Sequence, residues 1–260
     1  DRLWKSLVHV AAIQLPCELC RVSAMARLAA PPTPELHDIG RRYWSVRRLS
    51  APLHRAWLDV DRQGLQNVPT AGGVIFAANH LSFLDSVLLM YSGRRQVSFL
   101  GKVEYLSSPV TRRLFPAAGM IPVDRSGRGV GRSLGAAVDR LRAGEIVGIF
   151  PEGTRSRDGL LHDGHVGVAH LAIKSGAPII PVGITGTDTA MAPDSLLPRR
   201  SPITLKFGAP IDLGRWSCER PTGAVKREIT DEVMAAIASL SGQRRATAPA
   251  SARPAQVVAA

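Results

Sequence analysis

Between residues 57 and 207, short apolar runs alternate with amphipathic stretches, and no other feature restricts the fold as strongly. Runs near 57–60, 73–78, 96–101, 119–123, 146–150, 178–184 and 202–207 read as strands. Stretches 82–92, 107–115, 128–143, 164–175 and 222–241 read as helices. In 128–143 the residues Val130, Leu134, Ala137, Val138 and Leu141 recur at the helical period, while Arg132, Arg140 and Arg142 fall elsewhere. Apolar strands between such helices predict an α/β domain with a mostly parallel central sheet of about seven strands and helices on both faces. The 260 residues suffice for one such domain.

The ends of the chain have a different texture. Pro31-Pro32-Thr33-Pro34 is a break, so residues 1–34 are expected to form a separate N-terminal helical segment. Residues 6–30 are moderately apolar but interrupted by Pro16, Glu18 and Arg21, which suits an interfacial hairpin better than a spanning helix. No run of about 18 apolar residues exists, so no transmembrane span is expected. Residues 35–242 are expected to form the α/β domain, starting with a helix up to a kink at Pro52. Tyr43, Trp44 and Leu49 on that helix alternate with Arg41, Arg42, Arg47 and Arg48. It reads equally as a membrane-contacting helix or as one packed on the core with a solvated basic face. Residues 243–260 are rich in Ala, Pro and Ser and are expected to be a disordered tail.

Charge narrows the partners. With 33 Lys and Arg against 21 Asp and Glu, the formal net charge is +12, which favours anionic lipid surfaces, phosphorylated substrates or nucleic acid. Aromatics at 5% are too sparse for the stacking platforms of single-strand binding, and no nucleic-acid-binding signature is present. The three cysteines, Cys17, Cys20 and Cys218, lack the second pair that a zinc site needs. Reduced thiols and no metal are the expectation.

Chemistry-bearing residues gather where strands end. Asn79-His80-Leu81-Ser82-Phe83-Leu84-Asp85 follows the apolar run Val74–Ala78 and opens the next helix. A His and an Asp five residues on, about a turn and a half of helix, suit a general base with an orienting carboxylate. The same residues also fit a helix start with Ser82 as N-cap and Asp85 against the helix dipole, and the local sequence does not choose between these readings. Gly119–Arg125 ends another strand with Asp124-Arg125, where Arg125 is either a phosphate fork or the partner of Asp124. Phe150-Pro151-Glu152-Gly153-Thr154-Arg155-Ser156 ends the next, either as an oxyanion-holding loop or as a turn closed by a Glu152–Arg155 ion pair. Lys102 is a further cation at a strand end, and Ile179-Ile180-Pro181-Val182 reads first as plain core. Neither a Walker A loop nor a G-x-S-x-G elbow occurs.

In order, these blocks resemble the motifs of the glycerolipid acyltransferase family, of the type that acylates lysophosphatidic acid: Asn79-His80-x-Ser82-x-x-Asp85, Gly119 to Arg125, Phe150 to Ser156, and Ile180-Pro181-Val182. Pro122 departs from the second motif, which is expected to carry a β-branched or aromatic residue there. The resemblance implies that His80, oriented by Asp85, deprotonates a glycerol hydroxyl that attacks an acyl thioester directly. It implies substrate contacts by Asn79 and Ser82. Arg125, helped by Lys102, would hold the acceptor phosphate, and Glu152, Gly153, Thr154 and Arg155 the glycerol phosphate side. Ile180 and Pro181 would border the acyl donor. The donor would be acyl-CoA or acyl-acyl carrier protein, with no cofactor and no metal, and the enzyme would work peripherally on the anionic cytoplasmic face of the cell membrane. Glycerol 3-phosphate or another lysolipid is the alternative acceptor. A non-catalytic basic protein that binds membrane or nucleic acid is the reading from another class.

Overall fold

The computed structural model describes residues 34–92, 95–123, 128–192, 195, 198–216 and 221–246. The elements run α1 (Pro34–Trp57), β1 (Asp59–Gln63), β2 (Val74–Ala78), α2 (Leu84–Ser92), β3 (Val97–Lys102), α3 (Pro109–Ala117), β4 (Met120–Val123), α4 (Arg128–Arg142), β5 (Ile146–Ile149), α5 (Gly167–Ser175), β6 (Ile179–Thr185), α6 (Thr187–Ala190), β7 (Pro202–Phe207) and α7 (Gly223–Ser241). The expected segment 1–34, apart from Pro34, and residues 247–260 of the expected tail 243–260 lie outside the described residues, as do Cys17, Cys20, Cys218 and Arg125.

Seven strands form one sheet in the order β1-β7-β6-β2-β5-β3-β4. Only the β6–β7 pairing is antiparallel, so five strands run one way and β7 with β1 the other. The mostly parallel sheet is as expected. Its centre is β2, whose five residues are all buried. Alternate side chains serve opposite faces. Ile75 and Ala77 join the core under α4, α5 and α7 with Leu141, Leu171 and Ile237. Val74, Phe76 and Ala78 join the core under α1 and α2 with Tyr43, Leu88 and Leu89. A strand apolar at every position is what a sheet covered on both faces requires.

Pro122 sits on β4, the edge strand, where a missing N–H costs no ladder bond. Its carbonyl accepts from the Ser133 hydroxyl at 2.9 Å. Helix α1 runs through Pro52 to Trp57. Its basic face is not uniformly solvated: Arg47 stacks over the rings of Trp44 and Tyr91, at 5.0 and 5.6 Å from the ring centroids. Residues 243–246, expected to begin a disordered tail, instead run beside the core. The Leu161 N–H donates to Arg244 O and the Ala246 N–H to Leu161 O, both at 2.9 Å. The stretch Gln243-Arg244-Arg245-Ala246 has no core-forming pattern, and backbone pairing at Arg244 and Ala246 holds it instead.

Because β2, β3, β5 and β6 are mutually aligned, the segments leaving their C-terminal ends meet at one edge of the sheet. Open α/β sheets bind ligands at that edge.

Candidate active site

The turn after β2 is held by its own carboxylate. Asp85, in the first turn of α2, is fully buried, and its Oδ2 accepts from Leu81 N at 2.7 Å and Ser82 N at 2.8 Å. The same oxygen lies 2.8 Å from His80 Nδ1. Nδ1 is the ring nitrogen placed to donate to that carboxylate, and in the neutral ring with the proton there Nε2 keeps its lone pair. Asp85 Oδ1 is buried without a partner among the described residues. An unsatisfied buried acceptor costs about 1–3 kcal/mol, which this turn carries in exchange for a fixed ring. The ring plane is set by Phe150, stacked on His80 at 4.0 Å and 14°. Asp85 thus both ties the helix start and fixes the His80 ring, a geometry that a helix start and a general-base pair share. Ser82 caps weakly, since Leu84 N reaches its hydroxyl only at 3.4 Å.

His80 lines a cavity of about 760 Å³, within the roughly 300–1,000 Å³ common for small-molecule sites. Its walls are mainly apolar: Phe83, Val87, Met90, Phe99, Leu114, Phe115 and Met120. Lys102, Gly153, Thr154 and Arg155 line it as well, so these expected substrate contacts are brought together with His80. Gly153 closes a turn by donating to Phe150 O at 2.9 Å, with φ 68, a left-handed conformation that glycine adopts freely.

Several expected contacts fall elsewhere. Asn79 is fully buried; its amide donates to Ile184 O at 2.8 Å and Gln243 Oε1 at 2.7 Å and accepts from Ile184 N at 2.7 Å. Ser82, also fully buried, donates to Met191 O at 2.8 Å. Both hold the turn and neither lines the cavity. Glu152 is 5% exposed and meets backbone, not Arg155: Oε1 accepts from His80 N at 3.1 Å and Oε2 from His162 N at 3.0 Å. Burial pushes its carboxyl above the usual carboxylate range, against the two N–H bonds that favour the charged form. Ile180 and Pro181 are core: Ile180 is 0% exposed and pairs with Phe76, while Pro181 is buried beside Ala77.

Sequence reasoning missed Arg157, an exposed cation that also lines the cavity. It missed the wall at α2 too, although Phe83 in the motif and Val87 and Met90 just beyond it stand at helical spacing. Among the described residues no group of His, Cys, Asp and Glu could hold a metal ion.

Over 154 residues the chain is 34% identical to the 1-acyl-sn-glycerol-3-phosphate acyltransferase of Limnanthes douglasii, covering 58% of this chain and 55% of that protein. It is 28% identical over 180 residues to the protein of the same name from Salmonella typhimurium, covering 68% and 73%. It spans between 37% and 60% of the length of five plant relatives it matches. The crystal structure of the 1-acyl-sn-glycerophosphate acyltransferase PlsC from Thermotoga maritima superposes with a TM-score of 0.60 at 25% identity, covering 79% of this chain and 83% of that one. Residues 51–185, just over half of the chain and inclusive of His80, Asp85, Glu152 and Arg155, match the Acyltransferase family, and the chain belongs to it.

Proposed function

We propose that this chain transfers a fatty acyl group from a thioester, acyl-CoA or acyl-acyl carrier protein, to the free hydroxyl of 1-acylglycerol 3-phosphate, giving phosphatidic acid. The observation that carries this reading is the Asp85-held His80, with Nε2 unpartnered among the described residues, at a largely apolar cavity that also has Lys102, Arg155 and Arg157 in its lining. Nε2 takes the hydroxyl proton as the oxygen attacks the thioester carbonyl. The C–S bond breaks as the C–O bond forms, and the proton passes from His80 to the departing thiolate. The thioester is already activated, so the reaction draws on no metal or cofactor. The cations hold the acceptor phosphate and the apolar walls take the acyl chain.

The cavity rim supports a peripheral site on an anionic bilayer. Phe83, Tyr105 and Leu114 line the cavity yet are 39%, 40% and 44% exposed, and Val110 nearby on α3 is 71% exposed. Arg112 and Arg113 flank them. Apolar side chains among cations suit a surface of anionic headgroups. No helix among the described residues is long and apolar enough to cross a membrane.

The test incubates purified protein with labelled acyl-CoA or labelled acyl-acyl carrier protein and a panel of acceptors: 1-acylglycerol 3-phosphate, glycerol 3-phosphate and other lysolipids. Mass spectrometry is expected to find phosphatidic acid as the main product. A main product from another acceptor would reassign the substrate, and no acylated product with any donor would end the reading.

A further inference from the structure

The C-terminal end of α7 reaches the catalytic turn. Its last residues pack straight onto β6 at Gly183, where a Cβ would lie 2.5 Å from the Leu240 carbonyl carbon and Ser241 N, so only glycine allows the approach. Beyond Gly242 the chain turns across the sheet edge and places Gln243 between two active-site segments. Gln243 Oε1 accepts from Asn79 Nδ2 at 2.7 Å, one residue before His80. Gln243 Nε2 donates to Gly159 O at 2.9 Å, on the loop that carries Thr154, Arg155 and Arg157. The strap is fastened further along by the Leu161 pairing with residues 244–246 and by Arg245 Nη2 at 3.5 Å from Asp163 Oδ1. The turn and the loop otherwise touch through Ser156 N to His80 O at 2.7 Å and Glu152 to His80 N at 3.1 Å.

We infer that Gln243 is a positioning residue for the acyl transfer proposed above: its single amide clasps the general-base turn to the acceptor-binding loop and so sets the distance between His80 and the bound hydroxyl. The inference rests on that reading of the site. A half-buried Gln beyond the last helix adds little to the core. Its two bonds instead fix one coordinate, the spacing of Asn79 and Gly159, which lie 80 residues apart in sequence. Errors of about 1 Å in such spacing cost up to roughly a hundredfold in rate.

The experiment compares the full chain with Gln243→Ala and Gln243→Glu. It measures kcat, KM for each substrate, melting temperature, and amide hydrogen exchange in peptides spanning 79–85 and 156–161. Gln243→Ala is expected to lose about tenfold in kcat with donor KM and melting temperature little changed, and to exchange faster in both peptides. Gln243→Glu still accepts from Asn79 but cannot donate to Gly159, so its faster exchange is confined to 156–161. Wild-type kcat in folded Gln243→Ala would overturn the inference, and so would unchanged exchange in both peptides, whatever the turnover. Should the wild-type protein acylate nothing, the acyl-transfer reading fails alone and the exchange data still decide whether the clasp exists.

Discussion

Two His–carboxylate pairs among the described residues have nearly equal length and very different settings. His80 Nδ1 and Asp85 Oδ2 are 2.8 Å apart, with the side chains 18% and 0% exposed. His162 Nε2 and Asp158 Oδ1 are 3.0 Å apart, with 46% and 50% exposed. Distance alone does not separate them. Asp85 has no water to turn towards and is pinned by two backbone N–H groups, so it holds the ring in one orientation. Asp158 is tied to Leu160 N and Ser156 Oγ within its own loop, and its contact with His162 is a solvated i,i+4 pair. Only His80 lines the cavity. The lesson is that burial of the carboxylate, with a cavity beside the ring, separates the pair proposed as the base from a solvated surface pair.

The sharpest way to break this contrast is to remove each imidazole in turn. His80→Ala is expected to lower kcat by about 10³-fold or more, the scale of a general base, with the fold intact. His162→Ala is expected to stay within about twofold, because its exposed ring makes only a surface pair and the backbone N–H that it lends to Glu152 survives. Steady-state turnover with parallel melting curves checks both. Equal losses would mean that the cavity-lining pair is not special.

Removing the charge from each carboxylate comes next. Asp85→Asn puts an amide where Oδ2 now gathers the ring and two N–H groups, so the tautomer and orientation of His80 are lost. A fall in kcat of about 10²–10³-fold is expected, with substrate KM values less affected. Turnover near wild type would leave Asp85 as a helix-start residue only.

The pair that matters was legible in the sequence because it is local. His80 and Asp85 are five residues apart across a strand-to-helix turn, and the alternating apolar runs gave each strand to within a few residues. What surrounds the pair was not legible, because its partners are distant. Asn79 finds Ile184 at a separation of 105 residues and Gln243 at 164. Glu152 stands next to Gly153 and Arg155 in the motif yet turns inward, since two backbone N–H groups from different segments await it. Ile180 and Pro181 belong to a strand buried on both faces, where apolar character reports only burial. Arg157 carried no signal beyond being one more cation in a basic chain.

Glu152 joins the two regions, one oxygen on each histidine's backbone, and tests whether they are coupled. Its folded-state carboxyl is raised above the ordinary 4.5, so the folded protein binds this proton more tightly than the unfolded chain. Its contribution to stability is therefore greatest below 4.5 and declines as the pH rises through the raised value. Glu152→Gln removes that decline. The variant also turns an NH₂ group towards a backbone N–H, at a cost of about 1–3 kcal/mol, and loosens His80. Melting temperature followed from pH 4 upward is expected to be lower and flatter with pH, and kcat lower by about tenfold. A pH slope identical to wild type would deny the raised carboxyl.

The smallest effect is expected at the exposed pair. The Leu160 N–H first, and the His162 ring second, hold Asp158 down to about 2 from an ordinary 3.8. A depressed carboxyl contributes stability above 3.8 and loses it as the pH falls through about 2. Asp158→Asn is therefore expected to melt slightly below wild type at pH 5, with the two curves converging as the solution is acidified towards pH 2. Water and salt screen an exposed pair, so added salt should narrow the gap at pH 5, whereas it should not touch the loss in Asp85→Asn. kcat is expected to stay within about twofold. A loss approaching that of Asp85→Asn would show that the loop around Asp158 positions the substrate-binding residues as tightly as Asp85 positions His80, and would dissolve the distinction between a solvated pair and a buried one.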